Sequence, residues 1–221
     1  MIQLYHCASA RSFRPLWMLE EMGLPYALKM LPFPPRVFAK DYLELNPLGT
    51  IPLMVDGGTR MTESAAICHY LGVRHGPTPL VVGPDEADYG AYLNWLHFGE
   101  ATLTFPQTLV LRYSRLEPPE RRSAQVAEDY ARWFLGRLRA VDRVVAGQET
   151  LAAGRFTGAD ISVGYALLLA EILDLADQFV PETRDYWARL KTRPAFVRAM
   201  TAQAEAAAKA GLPEGLPIPK A

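Results

Sequence analysis

Two short runs of the chain set hydroxyl and charged side chains together where an extended segment gives way to an apolar, helix-like one. In Cys7-Ala8-Ser9-Ala10-Arg11-Ser12, two hydroxyls and a guanidinium precede such a run; Glu63-Ser64 stand directly before another. The start of a helix offers unpaired N–H groups and the positive end of the macrodipole, which favour an anion. Glu63 and Ser64 therefore read as a socket for a zwitterion: a carboxylate suits the Ser64 hydroxyl and the N–H groups, and an ammonium suits the Glu63 side chain. The same pair also reads as a helix cap beside a solvated acid, and the residues alone leave both readings open.

Thr157-Gly158-Ala159-Asp160 is of a different kind. Thr157 can cap the N–H of Asp160 while the Asp160 carboxylate reaches back, with Phe156 stapled onto Ile161, so this motif is structural. The two cysteines, Cys7 and Cys68, are too few for a disulfide framework and lack the spacing of a zinc site or a Cys-x-x-Cys pair, which fits a reduced compartment.

The elements that must position these residues follow from periodicity. Ile2–His6 reads as a strand and Ser12–Gly23 as a helix stopped by Gly23. Tyr26–Leu31 reads as a second strand, and Val37–Leu45 as a short helix after the prolines at 32, 34 and 35. Leu53–Val55 and Arg60–Thr62 flank Asp56-Gly57-Gly58-Thr59 and form a hairpin, followed by a helix over Ser64–Val73. The order βαβ then ββα implies a thioredoxin-like α/β domain over 1–76. HGPTPLVVGP, rich in proline and glycine, places a linker at 77–84. Long helices at Asp85–Ser114 and Glu120–Gly147, an apolar one at Ala159–Asp177 and shorter ones near Asp185–Lys191 and Pro194–Lys209 then give an all-α bundle over 85–210, with 211–221 an extended tail.

With 221 residues, half of them hydrophobic, the chain can bury a sizeable core, and its net charge of -1 leaves no basic excess for nucleic acid or an anionic membrane. MIQLYHCAS runs into a strand without a basic segment and apolar core, and no run of about 18 apolar residues occurs, so a cytosolic location is expected.

LYHCASARSFRPLWMLEEMGLPYAL, NPLGTIPLMVDGG and TESAAICHYL, in this order, resemble the N-terminal domain of bacterial and fungal-type glutathione transferases, and AGRFTGADISVGYALLLAE resembles the start of a buried C-terminal helix of the same family. The resemblance implies a cis bond at Ile51-Pro52 that turns the Ile51 backbone toward the cysteinyl part of glutathione, with the γ-glutamyl group at Glu63 and Ser64. Thr50 stands where many relatives carry a basic residue, leaving Lys40 or Arg36 to face the glycyl end. It also implies a thiol activated at the loop holding Ser9, Arg11 and Ser12. Lowering a thiol pKa from about 8.5 by roughly two units takes about 2.7 kcal/mol, within reach of one hydrogen bond to the thiolate at about 1.5–3 kcal/mol. Ser9 is preferred because it is not needed as a cap, with Arg11 as a cationic stabiliser and Ser12 next; Tyr5 and Cys7 read as packing residues.

Tyr92, Trp95, Phe98 and Tyr113 recur along the helix that faces the glutathione cleft in that family, implying an apolar wall for a second substrate, although the same stripe fits bundle core or a dimer interface. The activity implied is addition of the glutathione sulfur to a hydrophobic electrophile, with glutathione as co-substrate, no metal or tightly held cofactor, and a homodimer. Two rivals keep the fold: a glutathione-dependent disulfide or peroxide reductase, and a non-catalytic carrier or scaffold. A reductase would want a cysteine near Ser9–Ser12, where none stands.

Overall fold

Ile2, Leu4 and His6 are buried and Gln3 and Tyr5 half-buried, the period-two pattern of a strand with one face in the core, and in the computed structural model they form β1 (Ile2–His6). The structure describes residues 1–216. α1 (Phe13–Met22) buries an unbroken run from Phe13 to Leu19 and is closed by Gly23, whose φ of 62° is the left-handed conformation glycine adopts without steric cost. β2 (Tyr26–Met30) follows, paired parallel to β1. The single helix expected over 37–45 is instead two short ones, α2 (Pro35–Phe38) and α3 (Tyr42–Leu45), because Ala39 leaves the helical region at φ -134° and ψ 73°.

β3 (Leu53–Asp56) and β4 (Thr59–Met61) form the hairpin, with Gly57 at φ 57° in its turn, and α4 (Ser64–Arg74) closes the pattern. The sheet order is β2-β1-β3-β4, with β1 antiparallel to β3 and β3 antiparallel to β4, a mixed four-stranded sheet with helices, which is the thioredoxin-like fold. Register decides where the loops lie. Tyr5 pairs with Leu53 and Met54 with Met61, so the segment after β1, the segment before β3 and the segment after β4 all emerge at one end of the sheet.

This unit comprises Met1–Thr78 together with the segment beginning at Thr192. The segment 194–209, expected in the helical domain, therefore belongs to this unit. As α10 (Pro194–Lys209) it returns to α1: the Phe196 ring meets Trp17 at 4.9 Å and Phe13 at 5.5 Å, both edge-on. Burying one such phenylalanine is worth about 1.5–3 kcal/mol, and each edge contact adds about 0.5–1.5. Arg193 forks onto Glu21 at 2.6 and 2.9 Å and Arg198 reaches Glu20 at 2.9 Å, fixing the register of the two helices. Of the tail 211–221, residues 217–221 lie outside the described residues.

Pro79–Lys191 form the second unit. α5 (Tyr89–His97) continues through a wide, π-helical stretch (Phe98–Thr104) into α6 (Phe105–Leu111) and a second such stretch (Arg112–Leu116). The cause of the first widening is local. α8 (Gly158–Ile172) crosses so closely that a Cβ on Gly99 would fall 2.5 Å from the Ser162 backbone, and the Ser162 hydroxyl donates to the Leu96 carbonyl at 2.6 Å, competing with the helical ladder. α7 (Ala124–Val145) and α9 (Pro181–Lys191) complete the bundle, tied by the Thr183 hydroxyl on the Asp142 carboxylate at 2.5 Å. Among the described residues no helix is long and apolar enough to cross a membrane.

Candidate functional site

The loop between β1 and α1 is built around a residue in an uncommon conformation. Ser9 has φ 57°, which a side chain other than glycine's rarely adopts unless its surroundings impose it. Its N–H donates to Gln203 Oε1 at 2.9 Å, and His6 Nε2 pairs with the same oxygen at 3.1 Å, so His6 must carry its proton on Nε2. Burial lowers the His6 pKa to about 4, which keeps the ring in that neutral, donating form at neutral pH. Ser9 is only 6% exposed and Gln203 1%.

Arg11 is half-buried in the same loop, where Ala10 N–H caps back to the Cys7 carbonyl. Ser12 is fully buried, and this corrects its place among the candidate catalytic groups. Its hydroxyl accepts from the Cys7 N–H at 3.3 Å and donates to the Cys7 carbonyl at 3.4 Å, so it fastens the turn. The helix begins at Phe13 with no side-chain cap, which puts Pro15 at its third position. Burial pushes the Cys7 thiol up to about 12, and the sulfur points to the Pro32 carbonyl at 3.7 Å. Beside it lies a cavity of about 180 Å³ lined by Cys7, Ala8, Met30, Leu31, Phe33 and Leu212. Tyr5 packs its ring on Tyr42.

The segment before β3 is equally constrained. The Ile51-Pro52 bond is cis, as are Phe33-Pro34 and Gly76-Pro77. Asn46, 3% exposed, accepts from Leu48 N–H through Oδ1 and donates through Nδ2 to the Thr50 carbonyl at 2.8 Å, where the Tyr42 hydroxyl also arrives at 2.7 Å. Gly49 could be no other residue: its φ is 59°, and a Cβ there would fall 2.6 Å from the Arg36 Cβ. Thr50 is exposed and Ile51 half-buried. Lys40 is exposed too, its ammonium resting on the Arg36 carbonyl at 3.1 Å.

After β4, Glu63 is exposed and occupies the N-cap position of α4, but its side chain does not cap; Ser64 is the first helical residue, 2% exposed. The Ser64 hydroxyl is engaged by a residue that the sequence reading passed over. Arg14, fully buried on α1, donates from Nη1 to Ser64 Oγ at 3.2 Å. A charged residue inside an otherwise apolar helical run was a visible signal. Gln203 left none, being separated from Ser9 by 194 residues of chain.

The four aromatic candidates of the helical unit are not equivalent. Tyr92 is fully buried, with its hydroxyl 3.4 Å from where a Gly158 Cβ would stand, so it is core and presents no face to a ligand; α5 packs that edge on α8. Trp95 and Phe98 are half-buried and meet edge-on at 5.1 Å, and Phe98 lines a shallow groove of about 370 Å³ with Leu93, Asn94, His97, Ala101 and Thr102. Tyr113, half-buried, lies under the Arg112 guanidinium. The Thr157–Asp160 motif forms its capping box as expected, and Asp160 is fully buried.

Comparison with known proteins adds four findings. Residues 8–74 match the family described as Glutathione S-transferase, N-terminal domain. Glutathione S-transferase hmp2 of Hypomyces subiculosus is 32% identical over 174 residues, 74% of this chain and 77% of that protein. Glutathione S-transferase 3 of Schizosaccharomyces pombe is 40% identical over 103 residues, 47% of this chain but only 43% of the relative's length. Among solved structures, the glutathione transferase URE2P6 from Phanerochaete chrysosporium, in complex with oxidized glutathione, is similar with a TM-score of 0.80 and 27% identity over 92% of this chain and 96% of that one.

Proposed function

The chain belongs to the glutathione S-transferase family, and on that footing we propose that it binds glutathione at the thioredoxin-like unit, lowers the pKa of the bound thiol and adds the sulfur to a hydrophobic electrophile. The observation that carries this reading is the strand register, which brings the Ser9 loop, the cis Ile51-Pro52 segment and Glu63-Ser64 to one end of one sheet. In this reading the γ-glutamyl carboxylate takes the Ser64 hydroxyl and the N–H groups opening α4, and the ammonium takes Glu63. The extended Ile51 backbone pairs, strand-like, with the cysteinyl part. Ser9, with Arg11 beside it, stabilises the thiolate; Ser12 is spent within the turn.

Burial pushes the Cys7 thiol up to about 12, so it is a poor nucleophile at neutral pH, which argues against a reductase working through Cys7. The reading extends to a cytosolic homodimer, which sedimentation velocity would test.

The test is to assay the chain with glutathione against an aryl halide, an α,β-unsaturated carbonyl and a mixed disulfide. Conjugate formation outpacing glutathione oxidation is expected; dominant oxidation would favour a reductase, and binding without either a carrier. Glu63→Ala should weaken glutathione tenfold or more by calorimetry, about 1.4 kcal/mol. Ser9→Ala should raise the bound thiol pKa by about one unit in an ultraviolet titration, against a smaller rise for Arg11→Ala.

A further inference from the structure

Gln203 is 1% exposed and engages both ends of its amide. Its Oε1 accepts from the Ser9 N–H at 2.9 Å and from the His6 ring at 3.1 Å, and its Nε2 donates at 3.3 Å to the sulfur of Met200, one turn earlier on α10. The amide is planar and rigid, so whatever displaces its nitrogen displaces its oxygen as well. One side chain thus links a thioether to the loop that carries Ser9. Met18 and Met54 are fully buried, whereas Met200 is half-buried and open in part to small solutes.

A thioether is a weak acceptor in an apolar, flexible side chain, and oxidation to the sulfoxide makes it polar and chiral. A hydroperoxide supplies that change in balance. A sulfur lone pair attacks the outer peroxide oxygen, the S–O bond forms as the O–O bond breaks, the sulfur is oxidised by two electrons, and the reduced peroxide leaves with its proton as water or an alcohol. An oxygen added on the side of the amide has no room between sulfur and nitrogen 3.3 Å apart, so Nε2 must withdraw, and Oε1 with it, from Ser9 and His6. An oxygen added on the opposite side gives Met200 a strong acceptor that seeks water, which draws the sulfur off Nε2.

Resting on the thiol-activating role proposed above for Ser9, we infer that Met200 is an oxidation site at which hydroperoxides loosen the Ser9 loop, reversibly, since a sulfoxide reductase restores the thioether. What the oxidation weakens is thiol activation rather than glutathione affinity.

The experiment treats the full chain with dilute hydrogen peroxide and reads oxidation at each methionine by peptide mass spectrometry. Amide hydrogen exchange of residues 7–12 is followed in the same samples, together with the thiol pKa of bound glutathione, kcat and KM. Met200 should oxidise ahead of Met18 and Met54, and exchange in 7–12 should quicken about threefold or more. The thiol pKa should rise by about half a unit or more, and kcat should fall about twofold or more at unchanged KM for glutathione. Methionine sulfoxide reductase should restore all of these in the treated wild type, and Met200→Leu, which has no sulfur to oxidise there, should keep its untreated values through the treatment. The inference is overturned if Met200 stays reduced while Met18 or Met54 oxidises, if the sulfoxide at Met200 leaves exchange in 7–12 unchanged, or if Met200→Leu responds as wild type does. If the loop loosens reversibly and the thiol pKa does not move, the oxidation site stands and the role proposed for Ser9 falls.

Discussion

Each unit holds a loop in place with one buried polar side chain, and the two anchors differ in reach. In the helical unit, Asp160 accepts from the Thr157 N–H at 2.9 Å, from the Leu151 N–H at 3.0 Å and from the Tyr186 hydroxyl at 2.8 Å. In the thioredoxin-like unit, the Gln203 carbonyl accepts from Ser9 and His6. Asp160 serves its own helix start and the turn just before it, with a carboxylate whose contacts, the Thr157 hydroxyl at 3.3 Å among them, support one another. Gln203 spans nearly the whole chain with a single amide and holds the loop to which the chemistry is assigned. The side chain under the functional loop makes fewer contacts than Asp160, and Ser12 fastens the same loop from within through Cys7.

Removing the thicker anchor should have the largest effect. Asp160→Ala leaves two main-chain N–H groups and the Tyr186 hydroxyl without their acceptor in a site closed to water, and breaking such a network costs about 3–5 kcal/mol. Urea unfolding should show that loss, with activity per folded molecule within twofold of wild type. A loss below about 1 kcal/mol would mean that the box is not what nucleates α8.

How far these anchors were legible follows from their reach. Thr157 and Asp160 lie three residues apart, and the capping box was readable because local spacing fixes local geometry; Tyr186, 26 residues on, was not. The sheet and its hairpin were likewise readable from alternation and from Asp56-Gly57-Gly58-Thr59. The single helix expected over 37–45 broke at Ala39, and the long helix expected to begin at Asp85 begins at Tyr89 and widens where Ser162 presses on it, the widening set by packing rather than propensity. In the site, Glu63-Ser64 and the Ser9 loop showed themselves by residue type. Ser12 and Tyr92 did not show that they would be buried, and Gln203 belongs to a helix that returns to α1 through the Phe196, Arg193 and Arg198 contacts, which no linker composition records.

The titratable groups at the two anchors, Asp160 itself and the His6 ring held by Gln203, respond to pH in opposite senses. Burial raises the Asp160 pKa, so its contribution is greatest at low pH and is lost as pH rises through the folded value. Burial lowers the His6 pKa from 6.5 to about 4, so on acidification the unfolded chain takes up the proton first. The His6 contribution is full above pH 6.5 and is lost as pH falls toward 4; at roughly 1.4 kcal/mol per pH unit that amounts to about 3 kcal/mol. Thermal unfolding of the wild type and of His6→Asn across pH 4–7.5 should differ in slope by this amount. Parallel profiles would place the acid sensitivity elsewhere.

The smallest stability effect, and the most telling for function, belongs to Gln203→Met. The substitution keeps the volume and apolar stem but removes the oxygen that accepts from Ser9 and His6; the ring can shift its proton to Nδ1, whereas the Ser9 N–H loses this acceptor at about 1–3 kcal/mol. Ser9, at φ 57°, then loses the hydrogen bond that its N–H makes to Gln203, which weakens the hold on that conformation. The γ-glutamyl socket proposed at the start of α4 makes no hydrogen bond to Gln203, which bonds to His6, Ser9 and Met200, so glutathione affinity should stay within about twofold. Thiol activation should suffer instead: a bound thiol pKa higher by about half a unit or more and a fall in kcat, at unchanged KM for glutathione. Gln203→Glu sharpens the result, because a carboxylate keeps the acceptor for Ser9 while raising the His6 pKa, and so should preserve the thiol pKa while reversing the acid sensitivity. If Gln203→Met weakens glutathione binding and leaves the thiol pKa where it was, the loop is not held for its chemistry, and Ser9 loses its assigned role.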